Sequence, residues 1–303
     1  MFKQCTVLAQ MFILGSFIVT APQIAQAHSS GQSLDSNATN RELNNLFNQG
    51  RQLIDEGNFS EALLRYQHAM SLDRENPQIF SAIGYLNAVQ SNFQEAVNAF
   101  QQAIALNANN ANFHYALAYN LANLNDNAGA ATAYRRTIEL DANNVNAHLG
   151  LGVVALRQQD ATGALTAFQR AATLAPNNAV AHRSIGILLI QQGQFAEAIA
   201  ALQKAAELDP QESAIQLSLG IAWLNQGNAS AAIDAFERAA SLEPEASGMI
   251  HVQIGRILQL EGNLEEALRT YREAVRLQPN LIEPIWDHGR WVRMRQKCRT
   301  PAV

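Results

Sequence analysis

The chain has 303 residues, a hydrophobic content of 48%, an aromatic content of only 7% and a formal net charge of −5 at pH 7. An acidic chain does not attract phosphate backbones, which argues against nucleic acid as a partner. Because aromatic residues are scarce, alanine, leucine and isoleucine must supply most of the core packing.

Residues 1–27 have the pattern of a secretory signal peptide. Lys3 is followed by an apolar stretch from Cys5 to Thr20 and then by Ala25-Gln26-Ala27. This pattern predicts cleavage after Ala27 and export to the periplasm or another extracytoplasmic compartment. The apolar stretch is short for a membrane span of roughly 20 residues. An uncleaved membrane anchor is therefore the second interpretation.

Residues 28–42 are rich in Ser, Asn, Gln and Gly and contain a single leucine. Such a segment cannot bury enough apolar area to order itself. We predict a flexible leader between the cleavage site and the part of the chain that follows.

From Leu43 onward the chain repeats itself every 34 residues. One alanine recurs in phase: Ala62, Ala96, Ala130, Ala164, Ala198 and Ala232, then Ala267 after 35 residues. A tiny residue comes twelve positions before each alanine, and an aromatic residue or leucine comes four positions after it. A fixed period of this length is typical of a stacked helical array. The predicted repeats are 43–76, 77–110, 111–144, 145–178, 179–212, 213–246 and 248–281.

The fifth repeat shows how each unit is expected to fold. Apolar residues at helical spacing predict helices over 179–192 and 196–208, interrupted by Gly193-Gln194 and closed by Asp209-Pro210. The tiny residue would let the two helices approach closely, and the aromatic residue would reach into the neighbouring repeat. Repeats 3 and 4 have Asn125-Asp126 and Gln159-Asp160 at the turn. We expect this middle hairpin to be the softest.

The pattern resembles the tetratricopeptide repeat family, which has a small residue at position 8, alanine at 20, an aromatic residue at 24, alanine at 27 and proline at 32. The resemblance implies an all-α fold, a right-handed α-solenoid of seven helix–turn–helix units over residues 43–281. Two features depart from the family pattern. The tryptophan at position 4 is replaced, four times by histidine, and the proline at position 32 is present only in the last four repeats.

Residues 282–303 continue the first-helix pattern once and then become basic. No second helix is expected after them. We predict a capping helix with a basic tail, because a repeat array needs a polar element over its last apolar face.

The sequence offers no residue set for catalysis. His114, His148 and His182 recur at 34-residue intervals. Equivalent positions in stacked repeats lie about one helix pair apart, so three such side chains cannot share one ion. There is also no Gly-rich phosphate loop and no nucleophile–histidine–acid constellation. We therefore expect a non-enzymatic protein without metal or cofactor.

In the family that the chain resembles, the first helices line a concave groove. The resemblance implies a partner-binding groove lined by Phe47, Tyr85, Tyr115, Tyr119, Leu149, Val153, Arg183, Ile187, Leu217, Ile221, Arg256, Trp286, Arg290 and Arg293. We expect position 9 of repeats 2 to 6 (Tyr85, Tyr119, Val153, Ile187, Ile221) to form an apolar floor. Arg183, Arg256 and Arg290 would select acidic flanks. The competing interpretation of Trp286, Arg290 and Arg293 is a polar cap only.

Taken with the signal peptide, these features predict an exported scaffold or assembly factor that binds a protein segment or helix in its groove. The alternative is a structural component of the cell envelope. It would be anchored through residues 1–27, which is the only way we expect the chain to meet a membrane, or it would self-associate as a homodimer through the groove.

Overall fold

The computed structural model describes residues 34–281, with side chains from Ala38 onward. This part of the chain forms fourteen α-helices and one short 3-10 helix and contains no strand. The all-α fold class predicted from the repeat is therefore confirmed. Residues 1–33 and 282–303, which include the predicted signal peptide and capping helix, lie outside the described residues.

Residues 34–174 form one compact unit. Its helices are α1 (Leu34–Asp55), α2 (Phe59–Leu72), α3 (Pro77–Val89), α4 (Phe93–Leu106), α5 (Ala111–Asn123), α6 (Asn127–Leu140), α7 (Val145–Arg157) and α8 (Ala161–Leu174). Each odd-numbered helix packs against the helix after it to form the hairpin of repeats 1 to 4. Each hairpin also packs against the next, so the core of this unit lies between consecutive helix pairs.

Residues 175–281 form a second compact unit with the same organisation. Its helices are α9 (Ala179–Gln191), α10 (Phe195–Leu208), α11 (Ser213–Gln226), α12 (Ala229–Leu242), α13 (Ser247–Leu260) and α14 (Leu264–Leu277), followed by the 3-10 helix Pro279–Leu281. The helices of the fifth repeat begin and end within one residue of the predicted bounds. None of the helices between residues 34 and 281 has both the length and the hydropathy that a membrane crossing requires.

The first helix begins nine residues earlier than predicted. Residues 34–42, assigned to the flexible leader, are helical and continue into the packed turn that buries Leu43, Leu46 and Phe47. Once a helix is nucleated by packing, each further residue costs only a few tenths of a kcal/mol even for Ser and Asn. The leader prediction is wrong for these nine residues, because their composition does not show that they continue a helix stabilised by packing at Leu43, Leu46 and Phe47.

All seven hairpins turn through one residue in the left-handed conformation. Glycine occupies this position in four repeats, with φ between 75° and 89°, and Ser91, Asn125 and Gln159 occupy it in the other three, with φ near 62°. In repeats 3 and 4 an aspartate compensates at the next helix start: Asp126 accepts from the Gly129 amide and Asp160 from the Gly163 amide. The repeats therefore share one turn geometry although its residues differ.

The tiny residue of the first helix provides space for the aromatic residue of the same repeat. A Cβ added at Gly84 would lie 2.8 Å from the Phe100 ring, and one added at Gly152 would lie 2.6 Å from Phe168. The ring also packs towards the next repeat, as expected: Phe100 shares an apolar cluster with Ala116 of repeat 3. In repeat 3 Ala118 fills the usual space, and the Tyr134 ring lies against Gly150 of repeat 4.

Candidate partner-binding face

The candidate site is built from five positions of each first helix, 2, 5, 9, 12 and 13 of the repeat, which we call the first-helix face. These positions follow helical spacing and therefore share one side of the helix. Each of the two compact units carries its own part of this face.

Large apolar side chains are exposed on this face more than elsewhere. Among residues 38–281, nine large hydrophobic side chains are exposed, and five of them are on the first-helix face: Val89, Val180, Leu224, Met249 and Leu260. The face comprises only five of the 34 positions in each repeat, so five of nine is a clear concentration. Leu260 is 83% exposed, the highest value in this set. Four of the five lie in the unit of residues 175–281.

The face also differs from the rest of the molecule in charge. Residues 28–281 carry more acidic than basic side chains, yet the helices α3, α5, α7, α9, α11 and α13 contain no aspartate or glutamate. The formally charged side chains on these six helices are those of Arg157, Arg183 and Arg256. The acidic residues lie on α1, on the second helices and in the loops. A partner with negative charge is therefore repelled less by the first-helix face than by the other sides.

The predicted groove residues divide into two groups. Phe47, Leu149, Val153, Arg183 and Ile187 are buried, and Tyr85, Tyr115, Tyr119, Leu217, Ile221 and Arg256 are half-buried. Only the second group presents surface that a partner could contact. Trp286, Arg290 and Arg293 lie outside the described residues.

Val153 and Ile187 do not form an accessible floor, in contrast to the prediction. Only 7% of Val153 and 2% of Ile187 remain exposed. Their branched side chains end close to the backbone, whereas the tyrosines at the same repeat position in α3 and α5 extend further and remain half-buried. Ile221 at the same position is half-buried, so the packed neighbours as well as the length of the side chain decide whether position 9 reaches the surface.

Arg183 is already paired within the unit of residues 175–281. Its Nη1 donates to Glu212 Oε1 at 3.3 Å, and its side chain is 6% exposed. A buried arginine needs such a partner because an unpaired buried charge is costly. The prediction that Arg183 selects acidic flanks of a bound segment is therefore wrong. Arg256, half-buried on α13, remains a candidate for that role.

Tyrosines cluster on the first-helix face of residues 34–174. The rings of Tyr115 and Tyr134 lie 6.0 Å apart between centroids, with a tilted interplanar angle of 57°. Tyr85 packs against the apolar cluster that contains Phe100 and Ala116, which links α3 to α5. Burial raises the pKa of Tyr115 to about 12, and the neighbouring Tyr119 adds to the effect.

Arg157 ends α7 beside this cluster. Its Nη1 donates to the carbonyl oxygen of Ala122 at 2.6 Å, one of the last carbonyls of α5. A cation at a helix C-terminus is favoured by the helix dipole. Burial raises the pKa of Tyr134. The neighbouring Tyr115 and Tyr119 raise this pKa further, and the positive charge of Arg157 lowers it. The same guanidinium therefore influences both α5 and α6.

Comparison with known proteins decides the family. Models described as tetratricopeptide repeat match residues 47–111, 81–136, 115–179 and 184–250, and a second model of the same description matches 250–281. These matches cover more than half of the chain. The chain belongs to the tetratricopeptide repeat family. A search of curated proteins finds no significant match.

Solved structures of tetratricopeptide repeat proteins share the fold. One from Parabacteroides merdae is 17% identical, with a TM-score of 0.61 over 84% of this chain and 99% of that chain. Pseudomonas aeruginosa PilF is 15% identical, with a TM-score of 0.60 over 68% of this chain and 94% of that chain. YrrB, described as a tetratricopeptide repeat protein with an unusual peptide-binding site, is 18% identical, with a TM-score of 0.53 over 65% of this chain and 97% of that chain.

The histidines at position 4 of these tetratricopeptide repeats have a structural contact. His114, His148 and His182 each place Nε2 within 2.9–3.2 Å of the backbone carbonyl six residues earlier, in the loop that enters the repeat. Each histidine thus ties its first helix to the loop between repeats. Residues 34–281 contain no cluster of three or more His, Cys, Asp or Glu suited to a metal ion.

All five exposed apolar residues of the face were absent from the predicted site residues. Val180 and Met249 occupy position 2, Leu224 occupies position 12, and Val89 and Leu260 occupy position 13. All three positions line the groove in the tetratricopeptide repeat family, so applying the resemblance to every position would have found them. Arg157, also at position 13, was missed in the same way.

Proposed function

We propose that this protein is a non-enzymatic scaffold or assembly factor that binds a protein or peptide through its first-helix face. The concentration of exposed apolar side chains on α9, α11 and α13 supports this function. Exposed apolar side chains gathered on one face of the described residues are typical of an interaction surface. The unusual peptide-binding site described for YrrB gives the proposal a precedent among proteins of this fold.

We further propose that the protein is exported and cleaved after Ala27. The proposal relies on the charged start, apolar stretch and Ala-x-Ala end of residues 1–27. The mass of the mature protein, purified from cells that express the full chain, tests it. A mature N-terminus at His28 supports export, and an intact N-terminus favours a retained anchor instead.

Photocrosslinking from single positions tests the binding function. A photoreactive residue replaces Leu224, which is 36% exposed on α11, and in a matched variant replaces Leu277, which is 37% exposed on the second helix α14. A third variant carries the photoreactive residue in place of Leu260, which is 83% exposed at the end of α13. The expected result is one dominant protein crosslinked from position 224 and from position 260, and not from 277. Equal capture from all three positions would contradict the proposal.

The same crosslinks separate the scaffold from the self-associating alternative. A second copy of this chain crosslinked from position 224, together with a dimeric mass in solution, would support a structural role through self-association. A different protein crosslinked to a monomer would support the scaffold.

A further inference from the structure

Two hairpin turns carry an asparagine that is followed two residues later by a serine. These are Asn58-Phe59-Ser60 in repeat 1 and Asn228-Ala229-Ser230 in repeat 6. Asn-x-Ser, with any residue except proline in the middle, is the acceptor pattern for N-linked glycans, which lie on surface loops of exported proteins. Such a short pattern also arises by chance, so the structural setting of each asparagine decides whether a glycan fits there.

Both asparagines lie on exposed turns. Each directly follows a glycine in the left-handed conformation, Gly57 or Gly227, and directly precedes the second helix of its repeat. The asparagine and the serine of both turns are exposed, and the residue between them is half-buried. A bulky substituent on either asparagine therefore extends into solvent and displaces no part of the core.

The Asn58 side chain takes no part in the turn that holds it. Its backbone N–H donates to Leu53 O at 2.7 Å, and its carbonyl oxygen accepts from the Ala62 amide at 3.1 Å. Its side chain does not cap α2 and forms no hydrogen bond to another of the described residues. In repeat 6 Asn228 Oδ1 accepts from the Ala231 amide at 3.1 Å, which leaves Nδ2 available. A substituent on Nδ2 breaks no contact at either turn.

We propose that Asn58 and Asn228 are N-glycosylation sites. The donor is a sugar whose anomeric carbon is linked to the diphosphate of a carrier. A bond forms between Nδ2 and that carbon while the bond from the carbon to the phosphate oxygen breaks. The carrier diphosphate leaves with the electron pair, and Nδ2 gives up one of its two protons. An amide nitrogen is a weak nucleophile, so a glycosyltransferase other than this chain must catalyse the step.

This inference rests on the proposed export, because N-linked glycans of this pattern are typical of exported chains. It also bears on how a partner approaches the molecule. A glycan at Asn58 makes the turn of repeat 1 bulky and polar, so we expect no close protein contact at this edge of residues 34–174.

Peptide mapping of the protein, purified from the cells that naturally express it, tests the inference. Trypsin cleaves after lysine and arginine, which places Asn58 in the peptide 52–65 and Asn228 in the peptide 205–238. The expected result is a carbohydrate mass on both peptides, located at these asparagines by fragmentation. Asn37-Ala38-Thr39 also fits the pattern and falls in a different peptide, so its occupancy is measured separately.

Repeat 2 provides a matched control, because its turn has the same conformation and lacks the serine. Asn92 is exposed, has φ −83° and ψ 64° against −89° and 66° at Asn58, and is followed by Phe93 and Gln94. We expect no carbohydrate at Asn92 in the natural protein and carbohydrate there in the variant Gln94→Ser. Ser60→Ala should remove the carbohydrate from Asn58, and Ser60→Thr, which keeps a hydroxyl group, should retain it. Thermal unfolding shows whether each variant is folded.

The N-terminus of the same sample separates this inference from the proposed export. Unmodified Asn58 and Asn228 in a mature chain that begins at His28 would overturn the inference alone. Unmodified asparagines in a chain with an intact N-terminus would contradict both. Carbohydrate on Asn58 that persists in Ser60→Ala would overturn the assignment to the Asn-x-Ser pattern. Carbohydrate on both asparagines, lost from Asn58 in Ser60→Ala, would support the inference even if crosslinking from position 224 finds no partner.

Discussion

At the residue scale, three hairpin turns place a non-glycine residue in the left-handed conformation. This conformation costs roughly 1–2 kcal/mol for most L-residues, and less for asparagine, which bonds locally. Ser91 and Gln159 therefore carry more strain than Asn125. The turns of repeats 3 and 4 could be identified from the sequence, whereas Ser91 was missed, because a serine at a turn is not informative without its φ angle.

Replacing Gln159 by glycine is expected to raise the free energy of unfolding by about 0.5–1 kcal/mol. Glycine removes the left-handed strain, and its greater entropy in the unfolded chain offsets part of the gain. Chemical denaturation measures the change. Gln158→Gly is the matched control, because Gln158 has φ −85° and gains nothing from glycine. A loss of stability at both positions would contradict the strain argument.

Replacing Gly152 by alanine is expected to lower the free energy of unfolding by about 1–3 kcal/mol, a typical cost of overpacking. The added methyl group would overlap the Phe168 ring, which leaves no room for a Cβ. The double variant Gly152→Ala, Phe168→Leu should lose less stability than the sum of the losses measured for the two single variants. Strict additivity in this double-mutant cycle would show that the ring does not depend on the glycine.

Alkaline pH should destabilise the fold through its buried tyrosines. Burial raises the pKa of Tyr66, Tyr115 and Tyr271 to about 12, whereas an unfolded tyrosine titrates near 10. Between these values the folded state holds more protons than the unfolded state. The stability contribution is therefore complete below pH 10 and is lost as the pH rises towards 12.

Denaturation at pH 9 and pH 11, together with tyrosinate absorbance, measures this loss. Tyr115→Phe removes one of the shifted groups and should make the stability less dependent on pH in that interval. An unchanged dependence would indicate that Tyr115 titrates normally in the folded protein.

At the element scale, asparagines determine where several first helices begin. Asn76, Asn110, Asn144 and Asn178 each accept a backbone N–H of the first turn. Asparagine is among the best N-cap residues because its side-chain oxygen satisfies an otherwise unpaired amide. The alternation of these caps with left-handed turns explains why the helix bounds of the fifth repeat could be predicted from the sequence to within one residue.

Asn144→Ala is expected to lower the free energy of unfolding by about 1 kcal/mol, the usual cost of losing a cap. Its Oδ1 accepts from the Ala147 amide at 2.9 Å. The preceding Asn143 is exposed in the loop, so Asn143→Ala should have a much smaller effect. Similar losses for both substitutions, measured by urea denaturation, would show that the cap is not what stabilises α7.

Burial on the first-helix face could not be predicted to the same degree. The repeat pattern places Tyr119 and Val153 at equivalent positions, yet one is half-buried and the other buried. Whether a face residue reaches the surface depends on its length and on its packed neighbours, and the pattern encodes neither. The ion pair of Arg183 could not be predicted for the same reason, because its partner Glu212 lies 29 residues further along the chain.

At the scale of the whole molecule, charge differs between the first helices and the loops. The first helices from α3 to α13 carry three arginines and no carboxylate, whereas the second helices carry ten acidic and nine basic side chains and the loops between residues 56 and 278 carry eleven acidic residues and one arginine. The acidic excess of the described residues therefore lies mainly in the loops and not on the first-helix face. Composition gives only the net charge, whereas its distribution depends on which residues are helical and which are in loops.

Binding affinity for the crosslinked partner tests the central claim most directly. Leu224→Glu and Leu277→Glu introduce the same charge at equally exposed leucines, one on the first-helix face and one off it. Isothermal titration with the purified partner is expected to show a loss of about tenfold or more for Leu224→Glu, and a change within about twofold for Leu277→Glu. Equal affinities for the two variants would contradict a binding function of the first-helix face.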